Sequence, residues 1–313
     1  MKVLVTGGTG YLGSAVVRAL ARAGHEPVVF ARGAAAGADG VRAVAGDIRD
    51  TRAVTAAAEG AGAIIHTAAL VAVWRRDASA FDAINVGGLQ SVLSAARTQH
   101  VPRIVYTSSF LALPPAGSPH ALTANHYQRT KVAARDVARR AAADGSPVVT
   151  LYPGVVYGPG PATEGNLVAR LMRDQMAGQL PGVIGPEHTW SFAYVDDVAE
   201  AHVAAATRPN LEREYAVGGV NAPQGSIYAF VHERRGRAVP RRLPYALATA
   251  GGLALEALAG LTGRPPLLTR GVVEIFRRDW PLDSAPAERD LGLQVTPLAE
   301  GLERTLAALS IPA

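Results

Sequence analysis

The chain contains no cysteine. That excludes a disulfide framework and any thiolate metal site, and it fits a reducing compartment. Eight histidines are present, but none pairs with Asp or Glu at ligand spacing, so no metal is expected. Aromatic residues make up only 6% of the sequence, and they do not interleave with a basic stripe. The formal net charge of +5 is spread out, apart from Arg234-Arg235-Gly236-Arg237 and Arg241-Arg242. Nucleic acid is therefore not an expected partner. A secretory leader pattern is also missing: the N-terminus runs straight into an apolar strand, and the expected location is cytoplasmic. The stretch from Leu243 to Leu261 is apolar but interrupted by Pro244, Gly251, Gly252 and Glu256. It reads as a buried or surface-packed amphipathic helix with interfacial contact as the other reading, not as an integral membrane segment.

What is abundant is apolar residue, 49% of 313. That suffices for one large α/β domain, or for a nucleotide domain with a smaller partner. The most informative stretch opens the chain. An apolar run, Val3 to Val5, stops at Gly7, Gly10 and Gly13, and an amphipathic helix pattern begins at once with Leu12, Val16, Val17 and Leu20. Glycines between a strand and a helix allow a tight turn and close backbone approach to a ligand. The new helix offers unpaired N–H groups and a positive dipole end, which suit a pyrophosphate. A dinucleotide site is expected here, at Gly7, Thr9, Gly10, Tyr11, Leu12 and Gly13.

Strand and helix patterns then alternate. Strands are expected near 2–6, 27–31, 41–45, 63–66, 103–107 and 148–152, with helices near 11–23, 50–59, 78–99 and 126–143. Repeated βα units with nearly continuous apolar strands predict a doubly wound parallel sheet of Rossmann type, covered on both faces. After Pro153 the rhythm breaks. Helices near 165–177, 225–235 and 297–309, a strand-like and then helical pattern over 189–206, and a strand near 214–217 follow, and they suggest a smaller, mostly helical lobe. The expected division is 1–152 plus about 189–218 for the nucleotide domain, and about 153–188 plus 219–313 for a substrate lobe. Asp196-Asp197 reads as a turn and helix start.

Tyr127 and Lys131 sit four apart at the start of a predicted helix, hence on one face. A phenol titrates too high for acid–base work unless something favours its phenolate, and a neighbouring ammonium does so. Such a pair can pass a proton to or from a substrate oxygen. Strand end Thr107-Ser108-Ser109 aims hydroxyls at the same crevice, at the carboxyl ends of the strands.

In order along the chain, Thr6-Gly-Gly-Thr-Gly-Tyr-Leu-Gly13, Gly46-Asp47-Ile48-Arg-Asp50, His66-Thr67-Ala68-Ala69, Asn85-Val-Gly87, Thr107-Ser108-Ser109, Tyr127-x-x-x-Lys131, Tyr152-Pro153-Gly154-Val155-Val156-Tyr157-Gly158-Pro159 and Tyr194-Val-Asp-Asp-Val-Ala199 resemble the extended short-chain dehydrogenase/reductases, the NAD-dependent epimerase/dehydratase superfamily. Softer features are Val73-Trp74, Pro244-Tyr245, Pro266-x-x-Thr269 and the segment Asp283 to Gly292. They are similar to the dihydroflavonol reductase and 3β-hydroxysteroid dehydrogenase group with its bacterial members; hopanoid-associated sugar epimerases also look similar.

The resemblance implies roles. Tyr127 is the acid/base, and Lys131 lowers its pKa and holds the nicotinamide ribose. Ser109 orients the reacting oxygen, with Ser108 as second choice. Asn85 supports a proton relay, or is a structural helix asparagine. Asp47 and Ile48 flank the adenine. Thr67, Ala68 and Ala69 let backbone pass close to the cofactor, and Thr107 and Ser108 adjoin it. Pro153, Gly154, Val155 and Val156 present backbone to the carboxamide. His66 packs on the cofactor side. Substrate walls are expected from Leu70, Val73, Trp74, Phe110, Leu111, Trp190 and Tyr194.

NAD-binding versions carry an acidic side chain at the end of the second strand. Here that place reads Ala31-Arg32-Gly33, with no carboxylate before Asp39. Arg32 can pair with a 2′-phosphate, so NADP(H) is favoured, with NAD(H) possible. The expected activity is that of a ketoreductase or alcohol dehydrogenase on a mid-sized, partly apolar small molecule. The alternatives are a sugar-nucleotide epimerase or dehydratase and a non-catalytic NADP(H) sensor. A homodimer through the helices near 78–99 and 126–143 is implied by the resemblance.

Overall fold

A computed structural model describes residues 1–33 and 41–309. Asp39 and most of the Gly/Ala loop expected around it lie outside the described residues. Seven strands form one parallel sheet: β1 (Lys2–Thr6), β2 (Glu26–Ala31), β3 (Arg42–Ala45), β4 (Ala63–His66), β5 (Ile104–Thr107), β6 (Val148–Pro153) and, after an excursion, β9 (Glu214–Val217). Their spatial order is β3-β2-β1-β4-β5-β6-β9. The central strands are buried on both faces, with Leu4, Val5, Ile64 and Ile65 fully enclosed. That explains their unbroken apolar runs.

One face is covered by the helices Tyr11–Arg22 and Val195–Thr207, through Val16, Leu20, Val198 and Ala205. The other is covered by Thr51–Ala57, Gly87–Thr98 and His126–Ala143, through Val54, Leu89, Val92 and Ala134. Strand order reverses direction between β1 and β4, and a crevice opens at their carboxyl ends, where such sheets take ligands.

The lobe is built on a three-stranded sheet, β7 (Val155–Tyr157), β8 (Thr189–Tyr194) and β10 (Val220–Pro223), in the order β10-β8-β7. Its core joins Tyr157, Trp190, Phe192, Phe230, Ile275 and Trp280. Strand β8, which opens the segment of about 189–218 expected with the nucleotide domain, belongs to this second sheet. Strand β6 runs out at Pro153, and β7 begins a new sheet that β8 joins in parallel from Val155↔Phe192 onward. The return to the large sheet therefore comes with the helix at Val195, whose second and third residues are Asp196 and Asp197. Asp197 accepts bonds from Thr296 N (2.7 Å) and Thr296 Oγ1 (2.9 Å), a structural role.

Three further differences are physical. The expected helix near 78–99 is broken by a π-helical stretch, Asp82–Val86, before continuing as Gly87–Thr98. Two short helices, Arg270–Phe276 and Ala285–Leu291, and strand β10 fall where no periodic pattern was readable. The apolar helix runs from Tyr245 to Thr262, and only Ala248, Gly252 and Ala259 of it are buried.

Candidate active site

A cavity of about 1280 Å³ lies between the carboxyl edge of the large sheet and the lobe. Its floor is the glycine turn. Gly7 holds a left-handed φ of 75°, and its N–H donates to Phe30 O at 2.9 Å. A Cβ at Gly13 would stand 2.2 Å from Gly7 O and 2.8 Å from Thr67 Oγ1, so only glycine lets turn and helix close together. The helix Tyr11–Arg22 starts at Gly10 with no side-chain cap and no acidic residue in its first turn. Its first N–H groups are therefore available to an anion at the positive end of the dipole. This uncapped turn, inside a cavity large enough for a dinucleotide, fits NAD(P).

The adenosine end is walled by Phe30 to Gly33 and Gly46 to Ile48. Asp47 is held by Arg49 (Nη2 to Oδ2, 2.6 Å), whose hydrogen bonds pull the carboxyl down to about 2. Arg32 lies exposed in this wall, without an ion pair among the described residues.

Tyr127 and Lys131 stand at the start of the helix His126–Ala143. That start is fixed by Asn125, whose side chain accepts from Gln128 N at 2.8 Å, while Gln128 Oε1 accepts from Ala124 N at 3.0 Å. The Lys131 ammonium is buried, donates to Thr107 O at 3.0 Å, and lies 5.9 Å from the centre of the Tyr127 ring. Thr107 is itself anchored: its hydroxyl donates to His202 Nε2 (2.8 Å), because His202 Nδ1 donates to Val198 O (2.7 Å).

Burial pushes the Tyr127 phenol up to about 12, and hydrogen bonding to the Ser109 side chain works the other way. The expected net lowering by Lys131 is not what this geometry gives. Burial dominates, and it also brings Lys131 itself down to about 8. The phenol is thus held neutral, the form that donates a proton. Of the two serines, Ser109 neighbours the phenol, and its Oγ also accepts from Leu111 N at 3.2 Å. Ser108 Oγ is buried and turned toward the Tyr106 hydroxyl instead.

The cavity brings together every residue expected to hold the cofactor, together with Ser109. Gly154 passes where a Cβ would meet Ser191 O at 2.5 Å, so β6 can step into β7 directly over the cavity. Leu70, Val73, Phe110, Leu111 and Trp190 are also in its walls.

Three expected site residues are not. Asn85 Oδ1 accepts from Leu70 N (2.7 Å), and its Nδ2 donates to Leu70 O (3.3 Å) and Thr130 Oγ1 (3.0 Å), so the side chain braces loop to helix. Trp74 lies outside the walls that Leu70 and Val73 contribute. Tyr194 shares a strand face with Trp190 but sits four residues, about 13 Å, further along. There it packs on Tyr157 (5.8 Å) and under Arg304 (5.6 Å). His66 shares a 2.7 Å hydrogen bond with Thr6 and stacks on Tyr106 behind the cavity, where burial brings it down to about 3.

The walls not foreseen come from the lobe: Leu167, Arg170, Leu171, Arg173 and Asp174, then Gln179 to Ile184, Leu255, Pro265 to Leu268, and Val272, Ile275 and Phe276. Most are aliphatic or proline, with Arg170, Arg173 and Asp174 the charged members; outside the helices Leu167–Met176 and Tyr245–Thr262 they lie in loops and a short helix whose sequence carries no period.

Residues 3–218 match the family model described as NAD dependent epimerase/dehydratase family. The chain belongs to that family. It is 30% identical, over 98% of its own length and 99% of the relative's, to a 2-alkyl-3-oxoalkanoate reductase of Stenotrophomonas maltophilia. It is 31% identical to a ceramide reductase of Caulobacter vibrioides, over 91% of this chain and 87% of that one. It is 29% identical to sterol demethylase protein B of Methylococcus capsulatus, over 95% and 94%. Among solved structures, gox2253 superposes with a TM-score of 0.81 at 26% identity, covering 98% of this chain and 97% of that one. The UDP-glucose 4-epimerase of Thermus thermophilus, in complex with NAD, gives 0.75 at 25% identity, covering 98% of each. These relationships and the fold make this family member an NAD(P)-dependent oxidoreductase of the extended short-chain type.

Proposed function

We propose that the protein is an NADP(H)-dependent ketoreductase acting on a mid-sized, largely apolar ketone, or on the secondary alcohol in reverse. The observation that carries this reading is a half-buried Tyr127, its phenol held protonated beside Ser109, in one cavity with the uncapped glycine turn and a far wall that is mainly aliphatic around Leu180 to Ile184 and Pro265 to Ile275, with Arg170, Arg173 and Asp174 as its charged members. Three of the relatives bear names of lipid-like or oxo-alkyl chemistry, which supports the same substrate class.

When bound, NADP(H) supplies or accepts the hydride at the carbonyl carbon. In reduction, the chain's own residues handle the oxygen. Ser109 holds it by a hydrogen bond, and Tyr127 donates the proton. The tyrosinate left behind is stabilised by the Lys131 ammonium, which Thr107 O keeps in place. Solvent then returns the proton. Arg32 selects the phosphorylated cofactor by charge-assisted bonds. Two copies pairing across Gly87–Thr98 and His126–Ala143 belong to the same reading, which light scattering checks.

A panel of ketones and alcohols assayed with NADPH and NADH tests the reading. Turnover of apolar ketones with NADPH over NADH is the expected outcome. Stoichiometric NAD retained through dialysis, without turnover of external NADPH, would overturn it in favour of an epimerase.

A further inference from the structure

The helix Tyr245–Thr262 is not built like the surface helix of a water-soluble protein. A soluble helix turns charged residues outward. Here every exposed residue from Ala246 to Thr262 is Ala, Leu, Thr or Gly. Leu247, Leu258 and Leu261 are 61%, 53% and 85% exposed, and Leu267, just beyond the helix, is 92% exposed. The helix's one ionic residue, Glu256, is paired with Arg270 at 2.8 Å. An apolar patch of this kind marks an interaction site.

The surrounding charge says what kind. From Arg234 to Arg278 the sequence holds nine arginines and two glutamates. Arg235, Arg237 and Arg241 before the helix and Arg264 after it are exposed and make no ion pair among the described residues. An apolar helix face bounded at both ends by free arginines matches a bilayer interface with anionic headgroups. A second copy of the chain fits less well, because a two-fold pairing sets the same arginine rim against itself. Crossing the bilayer is also excluded by the fold. Gly252 packs so tightly that a Cβ there would stand 3.0 Å from Arg270 N, which ties the helix to the lobe along its inner side.

The inner side has a use. Leu255 of the helix and Pro265 to Leu268 after it wall the same cavity as Tyr127. Leu267 is thus both a wall residue and fully at the surface, so the cavity mouth opens at the edge of the apolar face.

We infer that the helix Tyr245–Thr262 with Leu267 docks flat on the surface of an anionic bilayer, and that the cavity draws its apolar substrate from that bilayer. The substrate half of this statement rests on the proposed ketoreductase function; the docking half does not.

The test is co-sedimentation of the full-length protein with vesicles of phosphatidylcholine alone and of phosphatidylcholine mixed with phosphatidylglycerol. Binding to the mixed vesicles, weakened by salt, is expected. In the double variant Leu247→Glu/Leu258→Glu it should fall by at least about tenfold. In Arg237→Gln/Arg241→Gln the preference for the anionic vesicles should shrink. Turnover of a short, water-soluble ketone with NADPH should be unchanged in both variants, which also shows that they are folded. Turnover of a long-chain ketone dissolved in the vesicles should fall with binding.

Wild type remaining in the supernatant with both compositions overturns the docking surface. So does equal binding by the Glu variant. A wild-type dimer that the Glu variant dissociates, seen by sedimentation velocity, overturns it in favour of self-association. Vesicle binding without turnover of any ketone leaves docking intact and removes the ketoreductase reading.

Discussion

At the scale of single residues, Tyr127 and Lys131, the groups that the proposed function relies on, each sit where their own charge is disfavoured. Tyr127 is kept protonated up to about 12, and Lys131 keeps its proton only up to about 8. Carbonyl reduction needs both protonated: one to donate, the other to stabilise the anion formed. The reduction rate is therefore expected to be level below about 8 and to fall above it, as Lys131 becomes neutral. A pH profile of kcat/KM with a soluble ketone checks this. Tyr127→Phe should lower kcat by about 10²–10⁴-fold, with NADPH affinity nearly intact by fluorescence titration; surviving turnover would remove the tyrosine from the mechanism. Lys131 also carries a stability consequence. Its ordinary value is 10.5, so between about 8 and 10.5 the unfolded chain binds more protons, and stability rises with pH across that window. Below about 8 the burial cost is felt in full. Lys131→Met should then stabilise the inactive protein by up to about 3 kcal/mol, less about 1 kcal/mol for the bond to Thr107 O. Urea unfolding at neutral pH and near pH 10 should show the gain at the first and most of it gone at the second. The Tyr/Lys spacing was readable because four residues make one helical face. The direction of the tyrosine's shift was not, because it depends on burial by segments far away in sequence.

At the scale of elements, legibility followed length and period. Strands β1, β4 and β6 and the helix His126–Ala143 announced themselves because sheet burial and a capped helix leave regular apolar patterns. Strand β10 has no buried residue and so leaves no apolar run, and the seven-residue helix Arg270–Phe276 is too short to show a period. The π-helical stretch Asp82–Val86 is invisible in composition, yet it is what carries Asn85 to Leu70 and Thr130. Two readings of Asn85 differ in outcome. As a brace, Asn85→Ala leaves Leu70 N unpaired and should cost about 1–3 kcal/mol, raising KM through the slackened wall at Leu70 more than it lowers kcat. As a proton relay, it would lower kcat at unchanged stability. Thermal denaturation alongside steady-state kinetics separates them, and the bonded geometry favours the brace. The glycine turn is stricter. With 2.2 Å between a Cβ at Gly13 and Gly7 O, Gly13→Ala should weaken cofactor binding and stability together, measured by the same two experiments.

At the scale of the whole molecule, the cavity is a seam between two bodies of core. The large sheet supplies the glycine turn, Thr107 to Ser109 and the Tyr127 helix, and the second sheet with its helices supplies the opposite wall. The first body was the more legible as a site, since its residues converge at strand ends; of the second, Val155, Val156 and Trp190 were readable, but most of its wall comes from lobe loops and helices that meet only by folding. A ligand filling the seam contacts both bodies and binds only the folded state, so it should raise the temperature at which they come apart. NADPH at a hundred times its Kd should contribute about 2.7 kcal/mol, a rise of roughly 4 °C for a chain of this size. NADH at the same concentration should give less, because Arg32 meets no phosphate. Arg32→Ser removes a charge-assisted contact of about 1.5–3 kcal/mol, weakening NADPH by roughly tenfold or more, and should bring the two thermal shifts together. If NADPH and NADH already shift wild type equally, Arg32 does not select the cofactor.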